Sequence, residues 1–380
     1  MNRTEQQQKA QPPKSLTVMQ RRWRKFKRLK RGYYSFLILL GAYILSFFLP
    51  LLVNNRAIAV RYNGEWYFPA VKQMLVENFL IGKLFGMNYF YSGKFFGQED
   101  NPGECNYRRL KEEWEAEGSD NIVIMPPYPY GPIEDIGVEG NEPFMAPFET
   151  KDGSAPRLFG TDDRGRDVFA RMAYGFFVSI SFALILAFFE YAIGVPLGGM
   201  LGYFGGKFDI YMQRLIEIWS SLPTLFLIII VASIVRPNFI LLIILLSLVR
   251  WVGITTLMRA EFYREKAKDY VAAAVSIGVP THKIMLKHIL PNSLVPIITY
   301  FPFSIVAGIA ALVGLDFLGF GLPPPTPSWG QMMSVGLQHL TKWWLVIVPL
   351  SAMFLTLLLV VFIGEAIREA FDPKVFSRLR

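Results

Sequence analysis

The chain has 380 residues, of which 52% are hydrophobic and only 18% are charged, and its formal net charge is +9. This composition excludes an ordinary water-soluble domain, in which charged residues make up about a quarter of the chain. The charge is also uneven, because the region from Asn54 to Arg157 holds 10 basic and 16 acidic residues, and the rest of the chain sums to +15. Such a split in charge is expected of a protein that exposes different regions on the two sides of a membrane, and nucleic-acid binding is not needed to explain it.

Six apolar runs are each long enough to cross a bilayer, which takes about 20 residues. They predict an all-α integral membrane protein with six transmembrane helices. The third run is the weakest, because Arg214 and Glu217 lie in its first two turns. The runs are Tyr33 to Val53, Phe176 to Leu201, Ile210 to Val235, Phe239 to Met258, Ser293 to Leu315 and Trp343 to Gly364.

Basic residues predict the orientation of these runs. A basic cluster directly precedes the first run, and a second one lies between the fourth and fifth runs, whereas the loop between the third and fourth runs offers only Arg236. Because cytoplasmic loops are enriched in lysine and arginine, both termini are predicted to be cytoplasmic. The first cluster comprises Arg21, Arg22, Arg24, Lys25, Lys27, Arg28, Lys30 and Arg31.

The runs divide the chain into four parts. Residues 1–32 form a basic cytoplasmic segment whose first 15 or so residues are predicted to be disordered, and residues 33–53 form the first membrane helix. Within that basic segment Met19, Trp23 and Phe26 share one face of a predicted helix lying along the membrane surface, so membrane lipid is an expected partner. Residues 54–172 form a periplasmic insertion, and residues 173–380 form the core domain with five membrane helices and a cytoplasmic tail.

The insertion mixes aromatic residues with proline and glycine and is predicted to be mostly irregular. Residues Leu110 to Gly118 indicate a short acidic helix, and Asn63-Gly64 indicates a hairpin turn. Cys105 is the single cysteine of the chain, which predicts a free thiol.

The segment from Asp269 to Pro291 is unusual because it is polar and helix-forming, yet lies between two long apolar runs. Ala272, Ala273 and Ala274 favour a helix, and Gly278 suits a left-handed helix end. Pro280 then opens a second helix, which Pro291 is predicted to end. The product is a short helix-turn-helix at the membrane surface, shaped to dock on another protein.

Two further motifs flank the apolar runs. Residues Gly160 to Asp167, with the sequence G-T-D-D-R-G-R-D, contain three aspartates, but two arginines compete for them and no closing acidic ligand follows. A turn held by aspartate-to-backbone and arginine-aspartate bonds is therefore favoured over a calcium loop. Residues Phe317 to Gly330 form a proline-rich loop in which helix is forbidden.

These motifs resemble those of importer-type ABC permeases. Gly278 and Ile289-Leu290-Pro291 match the family's EAA pattern, although its glutamate position holds Ala272. The motifs Gly160 to Asp167 and Phe317 to Gly330 resemble those of oligopeptide and dipeptide permeases. The run R-Y-N-G-E-W-Y-F-P and the stretch E-I-W-S-S-L-P-T resemble the Yej subgroup, whose transporters import peptides and the peptide-nucleotide antibiotic microcin C.

The resemblance implies a type I ABC importer permease fold in a bacterial inner membrane, with the periplasmic insertion after the first helix. It implies no catalytic, metal or cofactor site on this chain, because ATP and Mg are bound by cytoplasmic ABC ATPase subunits. The other implied partners are a second homologous permease subunit and a periplasmic peptide-binding protein. The ATPase-coupling loop would span about residues 259–292, with Asp269, Ala272, Ala273, Ala274, Gly278, Thr281, Lys283, Ile289, Leu290 and Pro291 as its site residues.

Polar groups inside the apolar runs are candidates for the translocation path. Glu190 lies near the middle of the second run, where a charge is costly unless it pairs or faces water. It either lines the path and meets a peptide amino terminus, or it forms a structural pair with Arg250 of the fourth run. Ser220, Ser221 and Pro223 are the other path candidates. Gly194, Gly198, Gly202 and Gly206 recur every four residues, which favours close helix packing.

Two alternative functions fit the sequence less well. An ion-coupled secondary transporter would use internal repeats and carboxylates at mid-membrane, but the six runs show no convincing repeat. An intramembrane enzyme would need converging catalytic groups, and only Glu190 and Arg250 are available. The chain also lacks an ATP-binding glycine-rich motif, because Phe208 follows Gly206-Lys207 and Leu201 stands where the motif's first glycine belongs.

Overall fold

The computed structural model describes residues 18–78, 91–99, 101, 103–134, 141–150 and 155–371. The predicted disorder of the first residues and the end of the cytoplasmic tail lie outside this described part of the chain. The helices are α1 (Val18–Arg28), α2 (Lys30–Ser46), α3 (Leu49–Leu52), α4 (Pro69–Asn78), α5 (Tyr107–Glu117), α6 (Val168–Phe204), α7 (Gly206–Ser220), α8 (Thr224–Ile234), α9 (Phe239–Lys266), α10 (Asp269–Ser276), α11 (Thr281–Phe317), α12 (Trp329–Gln338) and α13 (Trp344–Phe371).

Among the described residues, four helices are long and apolar enough to cross a membrane, namely α6, α9, α11 and α13. The axes of α7 and α8 are bent by 64° relative to each other, and the pair adds a fifth membrane-spanning segment only if the two helices count as one broken span. The predicted helical membrane fold is confirmed in this coarse form. The count of six spans stays a prediction.

The third predicted span, Ile210 to Val235, is wrong as one continuous helix, because the chain breaks between Ser220 and Thr224. Pro223 lacks a backbone N–H and disfavours helix in the residue before it, which explains the break. The Oγ atoms of Ser220 and Ser221 donate to carbonyl oxygens of the preceding turn at 2.7 Å each. Serine thus satisfies backbone acceptors near the broken end.

The first predicted span, Tyr33 to Val53, also departs from a single helix. Helix α2 ends at Ser46 after 17 residues, and the four-residue helix α3 follows. Pro50 explains the interruption, since a proline is tolerated in the first turn of a helix but not in its interior.

The core of the bundle is the contact between α6 and α9, which run parallel. Glycines let the two backbones approach, because a Cβ added at Gly194 would lie 2.7 Å from Ile254 Cβ. A Cβ at Gly198 or Gly202 would lie 2.4 Å from a backbone oxygen of α9. The predicted packing role is confirmed for these three glycines. Gly206 does not share it, because it follows the end of α6 with φ of +57° and open space around its Cβ.

The insertion contains a small antiparallel sheet, so the all-α expectation needs correction. Its strands are β1 (Ala59–Tyr62), β2 (Glu65–Tyr67) and β3 (Ile122–Ile124), in the order β2-β1-β3. The predicted hairpin is confirmed, since Asn63 and Gly64 both have positive φ between β1 and β2. The predicted acidic helix is confirmed as α5.

An apolar cluster gives the insertion a core of its own, built around Phe96, Tyr107, Leu110 and Trp114. Cys105 belongs to it as a buried free thiol, and burial raises its pKa to about 12. The sequence missed β3 because three residues carry too little pattern to be recognised.

Helix α1 precedes α2 and packs against the C-terminal end of α13. Phe26 is buried against Ala366 and Ala370, whereas Met19 and Trp23 are exposed. The predicted shared face is therefore divided between packing on the bundle and exposure at its surface.

The connections place two loop systems at opposite ends of the bundle. Residues Gly160 to Asp167 precede the start of α6, while the segment from Asp269 to Pro291 follows the end of the parallel helix α9. Helix α9 has 28 residues and is about 40 Å long at 1.5 Å per residue, so the two loop systems are at least this far apart.

Candidate functional site

The segment from Asp269 to Pro291, called the EAA-like segment below, begins with α10. This helix ends in a Schellman motif, in which Val279 N–H donates to Ala274 O at 3.1 Å and Gly278 N–H donates to Val275 O at 3.0 Å. Gly278 has φ of +77°, which confirms the predicted left-handed helix end. Pro280 then caps α11, which starts at Thr281.

The prediction that Pro291 ends the second helix is wrong. Residues Ile284–Ile289 form a π-helical stretch that leads without interruption into Leu290–Phe317. The wider i→i+5 turn accommodates the missing N–H and the ring of Pro291 at the junction. The second half of the EAA-like segment is therefore the first part of a 37-residue membrane helix.

The underside of the EAA-like segment packs on apolar side chains. Val271 and Ala274 of α10 and Ile284 and Ile289 of α11 are buried, each 5% exposed or less. They form one cluster with Met258 and Phe262 of α9 and Ile297 of α11. Burial of such side chains contributes about 1.5–3 kcal/mol each, so α10 is firmly seated on the bundle.

A buried carboxylate fixes the start of α10 to the end of α9. Glu265 is 2% exposed, and its Oε1 lies 2.6 Å from Lys268 Nζ while its Oε2 accepts from Tyr270 OH at 2.9 Å. Asn292 Nδ2 donates to the same hydroxyl at 3.3 Å, which ties α11 into the network. Sequence reasoning missed Glu265; an acidic residue next to a run of lysines at a helix end was the available signal.

The outer surface of the EAA-like segment exposes large apolar side chains among polar and charged ones. Ile277 is 80% exposed, Leu286 62% and Val275 56%. Ala272, which stands at the family's glutamate position, is exposed. Of the other predicted site residues, Ala274 and Ile289 are buried, Leu290 is partly buried and six are exposed, namely Asp269, Ala273, Gly278, Thr281, Lys283 and Pro291.

The structure brings Glu190 and Arg250 together in the middle of the bundle. Arg250 Nε donates to Glu190 Oε1 at 2.6 Å, and Glu190 is 2% exposed. This geometry favours the structural pair of the two hypotheses, and a role for Glu190 in the path stays a prediction. Ser220, Ser221 and Pro223 are exposed at the break between α7 and α8.

At the opposite end, Asp162 organises the loop from Gly160 to Asp167. Its Oδ1 accepts the N–H groups of Arg164 at 2.9 Å and Arg166 at 3.0 Å, and its Oδ2 accepts Arg166 Nε at 2.8 Å. The predicted turn held by aspartate-to-backbone and arginine-aspartate bonds is confirmed. Arg171 Nε lies 3.6 Å from the same carboxylate.

Asp167 joins this loop to α6 as its N-cap. Its Oδ1 accepts Ala170 N–H at 2.8 Å, and its Oδ2 accepts Tyr128 OH at 2.7 Å. Burial raises the pKa of the Asp167 carboxyl to about 6, although the Ala170 and Tyr128 hydrogen bonds act in the opposite direction. The loop is thus bonded both to the insertion and to the membrane bundle.

Asp316 holds the proline-rich loop in the same way, and sequence reasoning missed it. Its Oδ1 accepts Leu322 N–H at 2.6 Å, and its Oδ2 accepts Ser328 Oγ–H. Gly321 and Gly330 approach this aspartate so closely that a side chain on either would collide with it. An aspartate at the end of an apolar helix, followed by several glycines, was the signal available in the sequence.

Comparisons with a family model and with individual proteins assign the chain to the same family. Residues 194–377 match the family described as binding-protein-dependent transport system inner membrane component. The chain is 38% identical over 356 residues to the inner membrane ABC transporter permease protein YejE of Escherichia coli, covering 94% of this chain and 97% of the relative.

Two further relatives agree with this assignment. The peptidoglycan transport system permease protein YejE of Agrobacterium fabrum is 36% identical, with 93% of this chain and 92% of the relative covered. The oligopeptide transport system permease protein OppC of Haemophilus influenzae is 36% identical, with 61% of this chain and 78% of the relative covered. The chain therefore belongs to the ABC transporter permeases of peptide importers, within the YejE group, and is a non-catalytic inner-membrane subunit.

Proposed function

We propose that this chain is the permease subunit of an importer in which ATP hydrolysis by partner subunits drives alternating access to a peptide path. ATP and Mg would be bound by cytoplasmic ABC ATPase subunits that dock on the EAA-like segment. A second homologous permease subunit would complete the path, and a periplasmic peptide-binding protein would deliver cargo at the other end. Both termini would be cytoplasmic.

The observation that carries this proposal is the continuity of α11 from Thr281 to Phe317. The EAA-like segment is buried on its underside and exposed on its outer side, so a partner that moves it must move the bundle as well. No flexible linker separates its second half from the membrane helix. A rigid connection of this kind transmits the motion of a docked partner to the far end of the span.

The break between α7 and α8 supports a second permease subunit. The two helices expose large apolar side chains along much of their length, including Tyr211, Ile218, Phe226 and Ile234. Ser220 and Ser221 are exposed in the middle of this apolar surface. Irregular backbone at membrane depth is stable only where protein or a water-filled cavity covers it, so a partner subunit or the path itself should meet this break.

The cargo we propose is a peptide, and peptide conjugates of the microcin C type are one candidate within that class. The name of the Agrobacterium fabrum relative refers to peptidoglycan transport, which makes peptidoglycan-derived peptides a second candidate. Competition for uptake between a linear peptide and a peptidoglycan peptide, measured with the assembled transporter, separates the two.

Ile277→Arg tests the docking surface. Ile277 is 80% exposed and makes little contact within the chain, so the fold should survive. A cation at the centre of an apolar interface costs several kcal/mol on binding, and we expect at least a tenfold loss of ATP-driven uptake with loss of ATPase co-purification. Ile277→Leu is the matched control, since it keeps an apolar side chain of similar volume at the same exposed position, and it should behave as wild type.

Normal ATPase binding and uptake by Ile277→Arg would contradict the proposal. The same vesicles also separate the ion-coupled alternative, because uptake that survives ATP depletion and stops when the ion gradient is dissipated would support a secondary transporter.

A further inference from the structure

A cavity of about 400 Å³ lies at the end of the bundle opposite the EAA-like segment. Its walls come from the loop before α6, the start of α6, the proline-rich loop after α11 and the first turns of α12. Its volume falls within the range of small-molecule binding sites. We call it the Arg171 cavity; its polar lining includes Asp163, Arg164, Arg166, Arg171, Asp316 and Gln331.

Arg171 is the most constrained charge in this lining. It is 0% exposed, and its guanidinium donates to Pro132 O at 3.2 Å and to Gln331 Oε1 at 3.5 Å. Its Nε has no hydrogen-bond partner within the described residues. A guanidinium has five donors, and a buried one is stabilised only when acceptors meet them. This Nε lies 3.6 Å from Asp162 Oδ2, so Arg171 supplies positive charge from just behind the cavity wall.

Two other residues of the cavity also have unused capacity. Arg164 is exposed at the rim and forms no ion pair within the part of the chain that the structure describes. Asp163 Oδ1 is buried without a hydrogen-bond partner there, and its nearest cation is Arg166 NH2 at 3.6 Å. The cavity thus offers donors for an anionic group and an acceptor for an N–H group. The carboxyl end of a peptide presents both within one residue.

We propose that the Arg171 cavity binds the carboxyl-terminal end of a peptide. Arg164 pairs with the terminal carboxylate at the rim, Asp163 accepts the N–H of the last residue, and Arg171 adds positive charge from behind the cavity wall. This inference rests on the proposed function, since it identifies the part of the cargo that the permease contacts at its outer end. A simple inorganic anion satisfies Arg164 but leaves the Asp163 acceptor unpaired.

The test compares a tripeptide with its carboxyl-terminal amide. Binding of each to the assembled transporter in lipid nanodiscs, without nucleotide, is measured for wild type, Arg164→Gln and Arg171→Lys. A charge-assisted hydrogen bond to a carboxylate predicts that wild type binds the free acid about tenfold more tightly than the amide. Arg164→Gln should reduce this preference about threefold or more. Arg61→Gln, at an exposed position on β1, is the matched control and should retain it.

Three outcomes overturn the proposal: equal binding of acid and amide by wild type, retention of the full preference by both cavity variants, or equal weakening of acid and amide. A separate experiment measures how tightly the periplasmic peptide-binding protein binds to wild type and to the same variants. If the variants weaken that interaction whatever the peptide, an acidic side chain of the partner occupies the cavity instead. ATP-driven uptake in the same preparations is scored separately, so failure of transport in wild type speaks against the proposed function and not against the cavity.

Discussion

The two ends of the helix bundle are held by different forces. At one end the EAA-like segment rests on an apolar cluster and exposes large apolar side chains among polar ones outwards. At the other end the buried carboxylates of Asp162, Asp167 and Asp316 bind the loops through charged hydrogen bonds. Apolar packing tolerates substitutions of similar volume, whereas a buried charge that loses its partner is strongly destabilising. Single substitutions should therefore damage the fold at the Asp162 end of the bundle and partner contacts at the EAA-like end.

Asp162→Ala is the largest expected effect. It removes the acceptor of two backbone N–H groups and of Arg166 Nε, and it leaves Arg166 and Arg171 buried without their shared carboxylate. We expect the free energy of unfolding to fall by about 3–5 kcal/mol. Thermal unfolding of the purified protein in detergent, with the yield of membrane-inserted protein, measures the loss.

Asp163→Ala is the control for this substitution. The Asp163 side chain is 33% exposed and lies 3.6 Å from Arg166 NH2, so its removal should cost only about 0.5 kcal/mol. Equal losses in the two variants would show that the loop responds to total charge and not to the hydrogen bonds of Asp162. The contrast between the two ends would then lose its physical basis.

The sequence predicts those parts of the molecule that depend on residues close together in the chain. The Asp162 turn, the left-handed Gly278 and the Asn63-Gly64 hairpin each follow from local bonding rules and are confirmed. The pairing of Glu190 with Arg250 was available as one hypothesis because both charges lie near the middle of apolar runs. Long-range partners such as Arg171 and Gln331, 160 residues apart, have no local signal.

Prolines explain the two errors in the predicted helix boundaries, at the third span and at the end of the EAA-like segment. Pro223 and Pro291 each lie near the end of a helical pattern, yet Pro223 breaks a predicted span whereas Pro291 lies inside α11, just after its π-helical stretch, and the helix continues. Local rules favour a break at both positions, because a proline lacks the N–H that an α-helix needs, and they do not predict the wider π-helical turn that accommodates Pro291. The outcome at Pro291 is decided by Ile284 and Ile289, whose burial against α9 rewards an unbroken helix.

Gly198→Ala tests the contact that connects the two ends. The new methyl group would lie 2.4 Å from Thr255 O and 2.8 Å from Met258 Cβ, so α6 and α9 must separate. Overpacking of this kind costs about 1–3 kcal/mol. Gly253→Ala is the matched control, because nothing lies within 4 Å of its new Cβ. That variant should be as stable as wild type or slightly more stable, since alanine favours helix by about 1 kcal/mol. Thermal unfolding that ranks the pair in the opposite order would contradict the packing role of the glycines.

Glu265→Gln has the smallest expected effect on stability and bears most directly on the EAA-like end. Glutamine keeps the volume and one acceptor of Glu265 but weakens its contacts with Lys268 and Tyr270, at a cost of about 1 kcal/mol. Since these contacts fix α10 to α9, we expect the ratio of peptide uptake to ATP hydrolysis in proteoliposomes to fall about threefold.

Glu261→Gln is the matched control for that substitution, because Glu261 pairs with Arg264 on the same helix and makes no ion pair with α10 in the described residues. It should leave the coupling ratio unchanged. Equal ratios in the two variants would mean that the apolar cluster alone keeps α10 in place. The hydrogen bonds of Glu265 would then add stability without transmitting motion. The two ends of the bundle would differ more clearly, because apolar packing alone would hold α10 in place while buried charges hold the Asp162 loop.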